Sequence, residues 1–290
     1  RASSPWARIV EDFADRPSRE FRDRKVRMSG MQCGRTGWTS STLAWYRLSV
    51  SSLRVPVIGI QPGRVELDAD ASRYVAKVHR LRAGARLVLF DPEQCLEADA
   101  VVRTSDRHCV GCDVDEPRPA SLVAPHPLWV LQGLSKGDRF DQAVRDSVAL
   151  GVTDIVPVAF ARSDGNLTES SEARRRRWNR IAVEASRQCG RGDVARIHVP
   201  APPEAALTGV PEGCRLCLWE RSTRPLITQQ EAIRTSEAIS IVVGPEGGLE
   251  DDEVGLAHAF GYVDVSLGSF VLRTETATTA ALGAVRALRG

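Results

Sequence analysis

The chain has 290 residues, enough for one large or two medium domains, and its 42% hydrophobic and 26% charged residues are an ordinary balance for a globular protein. No apolar run approaches the roughly 20 residues of a membrane-spanning helix, and the first residues lack a secretory pattern, so we expect a cytoplasmic protein without membrane contact. The net charge of +2 neither requires nor excludes a nucleic-acid partner.

Residues 1–46 show no sustained hydrophobic period and are rich in Arg, Ser, Gly and Asp. We interpret them as a disordered extension, with Met28 or Met31 as candidate natural starts; a short helix at 7–13 is the alternative. Eleven basic and five acidic residues give 1–54 a net charge of +6, so the remainder carries −4. Any nucleic-acid-binding surface beyond residue 54 must therefore be a local patch.

Short β-rich segments dominate residues 47–116: RLSV, GRVELD, RLVLFD, EADAVV and HCVGCDV. Because Gly, Pro and Asp separate them, their spacing predicts a small antiparallel barrel. A helical rhythm at 71–81 interrupts the strands, and Pro-rich residues 117–127 indicate a linker.

Strands and helices alternate over residues 128–290. Five near-continuous apolar segments predict strands: LWVLQGL, DIVPVAF, RLCLWE, ISIVVG and YVDVSLG. Helical spacing covers 138–150, 172–189 and 274–288, and Gly151 is a typical C-terminal stop. This alternation predicts an α/β fold with a parallel sheet.

The seven cysteines are scattered, which argues against a disulfide framework. Cys109/Cys112 and Cys214/Cys217 have the C-x-x-C spacing of zinc sites, but both pairs lie in predicted strands. Residues three apart in a strand point to opposite faces, so buried thiols without a metal are the better interpretation.

The clearest candidate site is IVVGPEGGL at 241–249, followed by EDDEV. An apolar strand enters a turn in which Gly244, Gly247 and Gly248 let the backbone approach a ligand closely. The acidic residues suit a helix N-terminus but disfavour a bound phosphate, and no phosphate-binding motif is present. The turn therefore fits a neutral or cationic ligand such as S-adenosylmethionine, although a purely structural turn explains the pattern equally well.

A second strand ends in a Gly turn within VSLGSFVLRTETATTAAL at 265–282. Thr274 can cap the following helix and Glu275 suits its first turn, so these residues are explicable as a helix start alone. Because neighbouring parallel strands present their C-terminal loops to one crevice, we favour a single pocket formed by both turns.

The segment RWNRIAVEASRQCGR at 177–191 has a helical stripe of core residues: Trp178, Ile181 and Ala185. The stripe leaves three arginines for solvent or RNA: Arg180, Arg187 and Arg191. The run Arg174–Arg177 is more simply explained as a solvated face.

Four motifs together carry a family resemblance: KGDR-helix-LGV (136–152), RIAxEAxxQCGR (180–191), GPEGGL (244–249) and LGxxVLRTETA (267–277). In this order they resemble the RsmE family of 16S rRNA uracil-N3 methyltransferases, which belongs to the SPOUT superfamily. The segment RYVAKVHRLRAGARLVLFD (73–91) resembles the N-terminal barrel of that family, so the resemblance spans about 47–289.

The resemblance implies an S-adenosylmethionine-dependent enzyme that methylates N3 of a uridine in 16S rRNA. It implies a PUA-like β-barrel at 47–116 that helps to hold RNA, a trefoil-knotted SPOUT methyltransferase domain at 128–290, and a homodimer. Three loops would hold the cofactor through these residues: Leu218, Arg221, Gly244, Pro245, Glu246, Gly247, Gly248, Leu267, Gly268, Leu272 and Thr274.

Uracil N3 carries a proton that must leave before or during methyl transfer. We expect Arg273 to stabilise the oxyanion that develops on a uracil carbonyl, with Glu275 or Glu246 as alternative proton acceptors. The residues we expect to contact RNA are Arg47, Arg80, Arg82, Arg162 and Arg191.

The chain departs from the family pattern at Ser269-Phe270, where Pro-Arg is usual, and at Asp146 and Arg187, where the usual charges are reversed. Two other functions stay open: a SPOUT enzyme that methylates a ribose 2′-hydroxyl, and an RNA-binding or ribosome-assembly factor with a degenerate pocket.

Overall fold

The computed structural model describes residues 53–106, 109–164 and 170–290, which form two sheets flanked by helices. The predicted extension at 1–46, the predicted strand RLSV and Arg47 lie outside these residues. Within the described ranges, no helix is both long and apolar enough to cross a bilayer.

The first sheet has six strands: β1 Leu53–Pro56, β2 Gly63–Glu66, β3 Arg86–Asp91, β4 Leu96–Ser105, β5 Val110–Val114 and β6 Arg118–Pro119. Their order is β1-β3-β4-β5-β2, with β6 on β4. All pairs are antiparallel except β1 with β3. The strand β6 lies inside the segment predicted as a linker, where Pro119 pairs with Leu96.

The helical segment predicted at 71–81 divides into helix α1, Ala69–Arg73, and a π-helical turn, Tyr74–Val78. Helix α1 begins at Asp68, whose carboxylate accepts a hydrogen bond from Ala71 N at 2.7 Å. Beyond the turn, Arg80 adopts a left-handed conformation with φ 53°. Both Arg80 and Arg82 are exposed to solvent, as RNA contact would require.

The second sheet confirms the predicted parallel α/β architecture. Its strands are β7 Leu128–Gly133, β8 Asp154–Val158, β9 Arg196–Ile197, β10 Cys214–Leu218, β11 Ile239–Val243 and β12 Val263–Val265. They are all parallel, in the order β12-β10-β11-β7-β8-β9. We had expected the two strands that end in Gly turns, β11 and β12, to be neighbours. They are not, because β10 lies between them.

Six helices pack against this sheet: α2 Arg139–Ala149, α3 Ser170–Cys189, α4 Pro203–Thr208, α5 Gln230–Thr235, α6 Asp251–Ala259 and α7 Thr274–Arg289. The predicted Gly stop after α2 is confirmed, since Gly151 has φ 84°. Separate hydrophobic clusters cover the two faces of the sheet. Helices α4 and α5 were not predicted because six residues are too few to establish a helical period.

The strand β10 places Cys214 and Cys217 in the clusters on opposite faces of the sheet. Burial raises the pKa of the Cys217 thiol to about 12, which keeps it protonated. In the part of the chain that the structure describes, no group of three His, Cys, Asp or Glu side chains is placed to hold a metal ion.

A buried arginine joins the two halves of the chain. Arg191 is 3% exposed, and its guanidinium donates to the carbonyls of Val148 and Val152 at 2.8 and 2.9 Å and pairs with Asp193. The prediction that Arg191 contacts RNA is therefore wrong, because its charge is already used to close the end of α2. Its carbonyl accepts a bond from Arg54 of β1 at 3.4 Å.

Arg187 is also turned inward. Its guanidinium lies 4.0 Å from the centroid of the Tyr74 ring, between α3 and the first half of the chain. Of the three arginines left for solvent or RNA, only Arg180 lies on the exposed surface. Sequence spacing located the helix correctly but not the partner that covers this face.

Candidate active site

The candidate site is a cavity of about 450 Å³ at the carboxyl ends of β10, β11 and β12. Each strand continues into a loop that supplies part of the wall. Its lining residues are Arg139, Leu218, Trp219, Glu220, Val243, Gly244, Pro245, Glu246, Gly247, Gly248, Leu249, Val265, Ser266, Leu267, Gly268, Phe270, Val271, Leu272, Arg273, Thr274 and Ala277.

The glycine turn, residues 244–248, follows β11. Its shape requires glycine at two positions, one in β7 and one in the turn itself. A Cβ atom on Gly133 would lie 2.4 Å from Pro245 N, so only glycine there lets β7 meet the turn. Gly248 has φ 75°, a conformation that other residues adopt at a cost. The backbone of the turn can therefore form the wall directly.

The loop after β8 supports the glycine turn from outside. Arg162 donates from Nη1 to Gly247 O at 2.9 Å and from Nε to Glu250 Oε1 at 3.3 Å. Ala161 N donates to Glu253 Oε1 at 2.7 Å, and the capping box of Glu250 and Glu253 starts α6. Arg162, predicted to contact RNA, thus has contacts within the protein that hold the turn.

The loop after β12, residues 266–273, has far less support. Ser266 closes a local bond with Gly268, and an isolated bridge joins Ser266 to Pro225. Phe270 is 89% exposed and Val271 83% exposed, although both line the pocket. This wall presents apolar side chains to solvent, which is characteristic of a surface covered by a ligand or another chain.

A buried polar cluster lies behind the two loops. Thr274 Oγ1 donates to Gly244 O at 2.7 Å and accepts from Gln132 Nε2 at 2.9 Å. Gln132 Oε1 accepts from the Thr278 hydroxyl at 2.6 Å. Gln132 was not among the predicted site residues, although a single amide in the apolar strand LWVLQGL indicates a side chain that needs buried hydrogen-bond partners.

The rim of the pocket carries paired charges. Arg139 donates to Glu246 Oε1 at 2.8 Å, and Lys136 N donates to the same oxygen at 3.2 Å. The hydrogen bond and charge of Glu246 raise the pKa of the Arg139 guanidinium, with smaller contributions from Glu275 and Asp164. Arg139 therefore stays charged and holds Glu246 at the rim.

Comparisons with known proteins agree with this architecture. The family model for the RNA methyltransferase domain matches residues 123–286, more than half of the chain. The chain is 31% identical over 228 residues to ribosomal RNA small subunit methyltransferase E of Mycobacterium bovis, covering 77% of this chain and 86% of that protein. It belongs to the RsmE family. The Bacillus subtilis relative is 29% identical over 226 residues, with 76% and 88% covered.

The crystal structure of the RsmE protein of Neisseria gonorrhoeae bound to S-adenosylmethionine has the same α/β fold. Its TM-score is 0.74 at 29% identity, over 82% of this chain and 98% of that one. The family membership implied by the motifs is thus confirmed, together with the α/β fold.

The pocket of this RsmE-family chain fits S-adenosylmethionine. Its volume lies in the range of about 300–1,000 Å³ that is usual for small-molecule sites. The wall is formed by three loops, and Glu220 and Glu246 are among its lining residues; the sequence has no phosphate-binding motif. Such a wall suits a ligand that carries a positive sulfonium and ammonium.

Of the predicted catalytic and cofactor-binding residues of this family member, all but two lie in the pocket wall. Arg221 turns away because it pairs with Asp251 and stacks on Trp219. Glu275 is not among the lining residues, although its charge acts on Arg139, which is; Thr274 and Ala277 are the residues of α7 in the wall. Trp219 and Glu220 also line the wall; they lie in the loop 218–221 that the family resemblance implied, although neither had been singled out as a cofactor contact.

Proposed function

We propose that this protein transfers a methyl group from S-adenosylmethionine to N3 of a uridine in 16S ribosomal RNA. The observation that carries the proposal is the single pocket walled by three strand-end loops, with Arg273 in its lining. Membership of the RsmE family and the names of its relatives support the substrate.

The cofactor would be held chiefly by main-chain groups of the three loops. We assign its binding to the glycine turn, to Leu218 at the end of β10, and to the loop from Leu267 to Thr274. Glu220 and Glu246 place negative charge in the wall. When bound, the cofactor supplies an electrophilic methyl group on a sulfonium.

Arg273 is the residue that we assign to the chemistry. As the N3–CH3 bond forms and the S–CH3 bond breaks, the N3 proton passes to a carboxylate, for which Glu275 remains a candidate, or to solvent. Negative charge then develops on the uracil carbonyl oxygens, and a guanidinium there lowers the cost of that charge. Arg273 is exposed and forms no ion pair with any described residue, so its charge is available to a substrate. Glu246 Oε1 already accepts two hydrogen bonds, so we assign Glu246 to holding Arg139 at the rim.

The remaining architecture would serve RNA binding. We propose that residues 47–116 form a PUA-like barrel that holds RNA with Arg80 and Arg82, that 117–127 form a linker, and that 128–290 form a knotted SPOUT domain. The largely antiparallel first sheet is compatible with such a barrel, and the all-parallel second sheet in the order β12-β10-β11-β7-β8-β9 is compatible with such a methyltransferase domain. The enzyme would then work where small ribosomal subunits are assembled.

We propose further that the protein acts as a homodimer. Phe270 and Val271 form an exposed apolar hook at the rim of the pocket, and Leu272 continues it. Burying such side chains against a second copy contributes roughly 1.5–3 kcal/mol for each large residue. A second copy seated there would also cover the pocket.

The decisive experiment incubates the protein with methyl-labelled S-adenosylmethionine and either 16S rRNA or small subunits, and identifies the labelled nucleoside by mass spectrometry. Label in N3-methyluridine supports the proposal. Label on a ribose 2′-oxygen supports the alternative SPOUT activity. If calorimetry detects no binding of S-adenosylmethionine, the pocket is degenerate and an assembly factor is the better interpretation.

A further inference from the structure

We propose that Gln132 is a positioning residue, which fixes the direction of a buried hydrogen-bond relay and, through Thr274, the orientation of the Gly244 carbonyl in the pocket wall. The inference rests on the proposed function, because it takes the glycine turn as part of the cofactor site. It adds a role for β7, a strand that lies behind the pocket.

The relay is almost wholly closed to solvent. Gln132 is 1% exposed, and Thr274 and Thr278 are buried with it. Its bonds run from the Thr278 hydroxyl to Gln132 Oε1, from Gln132 Nε2 to Thr274 Oγ1, and from Thr274 Oγ1 to Gly244 O. The three distances are 2.6, 2.9 and 2.7 Å. The two bonds of Gln132 are buried, whereas the bond from Thr274 to Gly244 O is partly buried at the pocket wall, so the inner bonds hold the outer one in place.

The direction of the relay follows from counting donors. A threonine hydroxyl has one proton, and the carboxamide of Gln132 donates only from its nitrogen. With Nε2 facing Thr274, the Thr274 proton is free to reach Gly244 O. If the amide were reversed, Thr274 would donate to Oε1 and Gly244 O would lose this bond. The Thr278 hydroxyl also lies 2.8 Å from Thr274 O, so its single proton has two possible acceptors. Keeping Gly244 O paired favours the observed orientation, in which the Thr278 proton serves Gln132 Oε1.

The glycine turn is sensitive to this bond because β7 meets it so closely. A Cβ on Gly133 would lie 2.8 Å from Gly244 C as well as 2.4 Å from Pro245 N. Pro245 has no N–H to offer β7, so the Gly244 carbonyl is the hydrogen-bonding group beside that contact. Tilting this carbonyl would tilt the peptide that begins the turn.

The first test compares two replacements of the same hydroxyl. Thr274→Val keeps the shape but removes the relay, and we expect it to raise the dissociation constant for S-adenosylmethionine about tenfold, as for loss of one buried hydrogen bond. Thr274→Ser keeps the hydroxyl and should recover most of the lost affinity. Calorimetry with the full-length protein, without RNA, measures both.

The second test reverses the relay. In Gln132→Glu, burial raises the pKa of the new carboxyl group, and while it is protonated its O–H can donate to Thr274 as the amide does. Once ionised it accepts from both threonines and the Thr274 proton leaves Gly244 O, so we expect the cofactor dissociation constant of this variant, unlike that of the wild type, to rise about tenfold as the pH is raised. Gln132→Leu leaves Thr274 free to donate to Gly244 and should cost less affinity. At saturating cofactor, kcat should fall less than affinity in all these variants, because the chemical groups are untouched.

The control is Ser72→Ala in the first sheet, which removes another buried hydroxyl that bridges a carbonyl and an amide. It should lower the melting temperature without changing cofactor affinity. Should Gln132→Glu fail to fold, the uncharged Thr274 pair decides. Variants with wild-type affinity would overturn the inference alone, whereas a wild-type protein that binds no S-adenosylmethionine would overturn the proposed function as well.

Discussion

The two glycine-containing loops of the pocket differ sharply in how they are held. The glycine turn after β11 is fixed from two sides, by Thr274 and β7 behind it and by Arg162 outside it. The loop after β12 has a local bond at Ser266 and then exposes Phe270 and Val271. The wall formed by the glycine turn is therefore held by contacts within the protein, whereas the wall formed by the loop after β12 is largely exposed.

This difference separates two tasks of the site. A turn already held in shape loses little freedom when a ligand binds, which favours affinity. A loop with exposed apolar residues and an arginine is suited to contacts made with substrate or a second chain. We therefore expect changes in the glycine turn to alter cofactor affinity, and changes in the loop to alter turnover and assembly.

The largest expected effect is at Arg273 in the loop. Arg273→Ala should lower turnover about 100-fold or more, as removal of an oxyanion-stabilising donor does, while the cofactor dissociation constant changes little. Single-turnover methylation and calorimetry measure the two quantities. Arg286→Ala, on the far end of the same helix, is the matched control; equal losses of turnover and affinity in Arg273→Ala would refute this assignment.

The next effect is at Gly248 in the glycine turn. Gly248→Val forces a β-branched residue into φ 75°, and a strain of roughly 1–2 kcal/mol should weaken cofactor binding about tenfold. Gly255→Ala in α6 is the control, since no atom lies near its added methyl group, and alanine should stabilise the helix. Unchanged affinity in Gly248→Val would show that the turn is not held rigidly.

Phe270 tests the exposed hook. Phe270→Ser should raise the dimer dissociation constant at least about tenfold, from the lost burial of one large apolar side chain. Sedimentation over a range of protein concentrations measures this constant. If Phe270→Ser and the wild type have the same dimer dissociation constant, the hook is not the dimer contact, and the loop after β12 has no role in assembly.

The smallest expected effect is at Arg162. Its half-exposed bonds to Gly247 O and Glu250 should contribute little, so Arg162→Ala should raise the cofactor dissociation constant about threefold, and Arg162→Lys less. Arg103→Ala is the control, an equally exposed and ion-paired arginine in the first sheet. If Arg162→Ala instead lowers RNA affinity and leaves cofactor affinity unchanged, the result supports the original prediction that Arg162 contacts RNA.

The sequence predicted the elements whose signals are local. The apolar strand before GPEGG, the acidic start of α6 and the Gly151 stop of α2 all depend on neighbouring residues, and the structure confirms them. The position of β10 between β11 and β12 was not predictable in this way. Strand order depends on pairing between segments that are distant in the sequence. The hydrophobic pattern within one strand does not indicate which strand lies next to it.

The site was predicted at the level of backbone and less well at the level of side chains. Gly244, Gly248 and Thr274 lie in the wall, as predicted. They could be predicted because glycine turns and helix N-termini have recognisable local sequence patterns. Arg191 and Arg221 were misplaced because an arginine in a sequence does not reveal which carbonyl or carboxylate it will meet. Gln132 could have been found by asking where its amide would find partners.

The junction built around Arg191 has a mechanical consequence. Arg54 donates to the Arg191 carbonyl, and Arg187, in the last turn of α3, stacks on Tyr74. Bending at this point would strip buried charges of their partners, at about 1.5–3 kcal/mol for each charged hydrogen bond. We therefore expect the two halves to keep a fixed relative orientation, so that any RNA contacting both would have to fit that orientation.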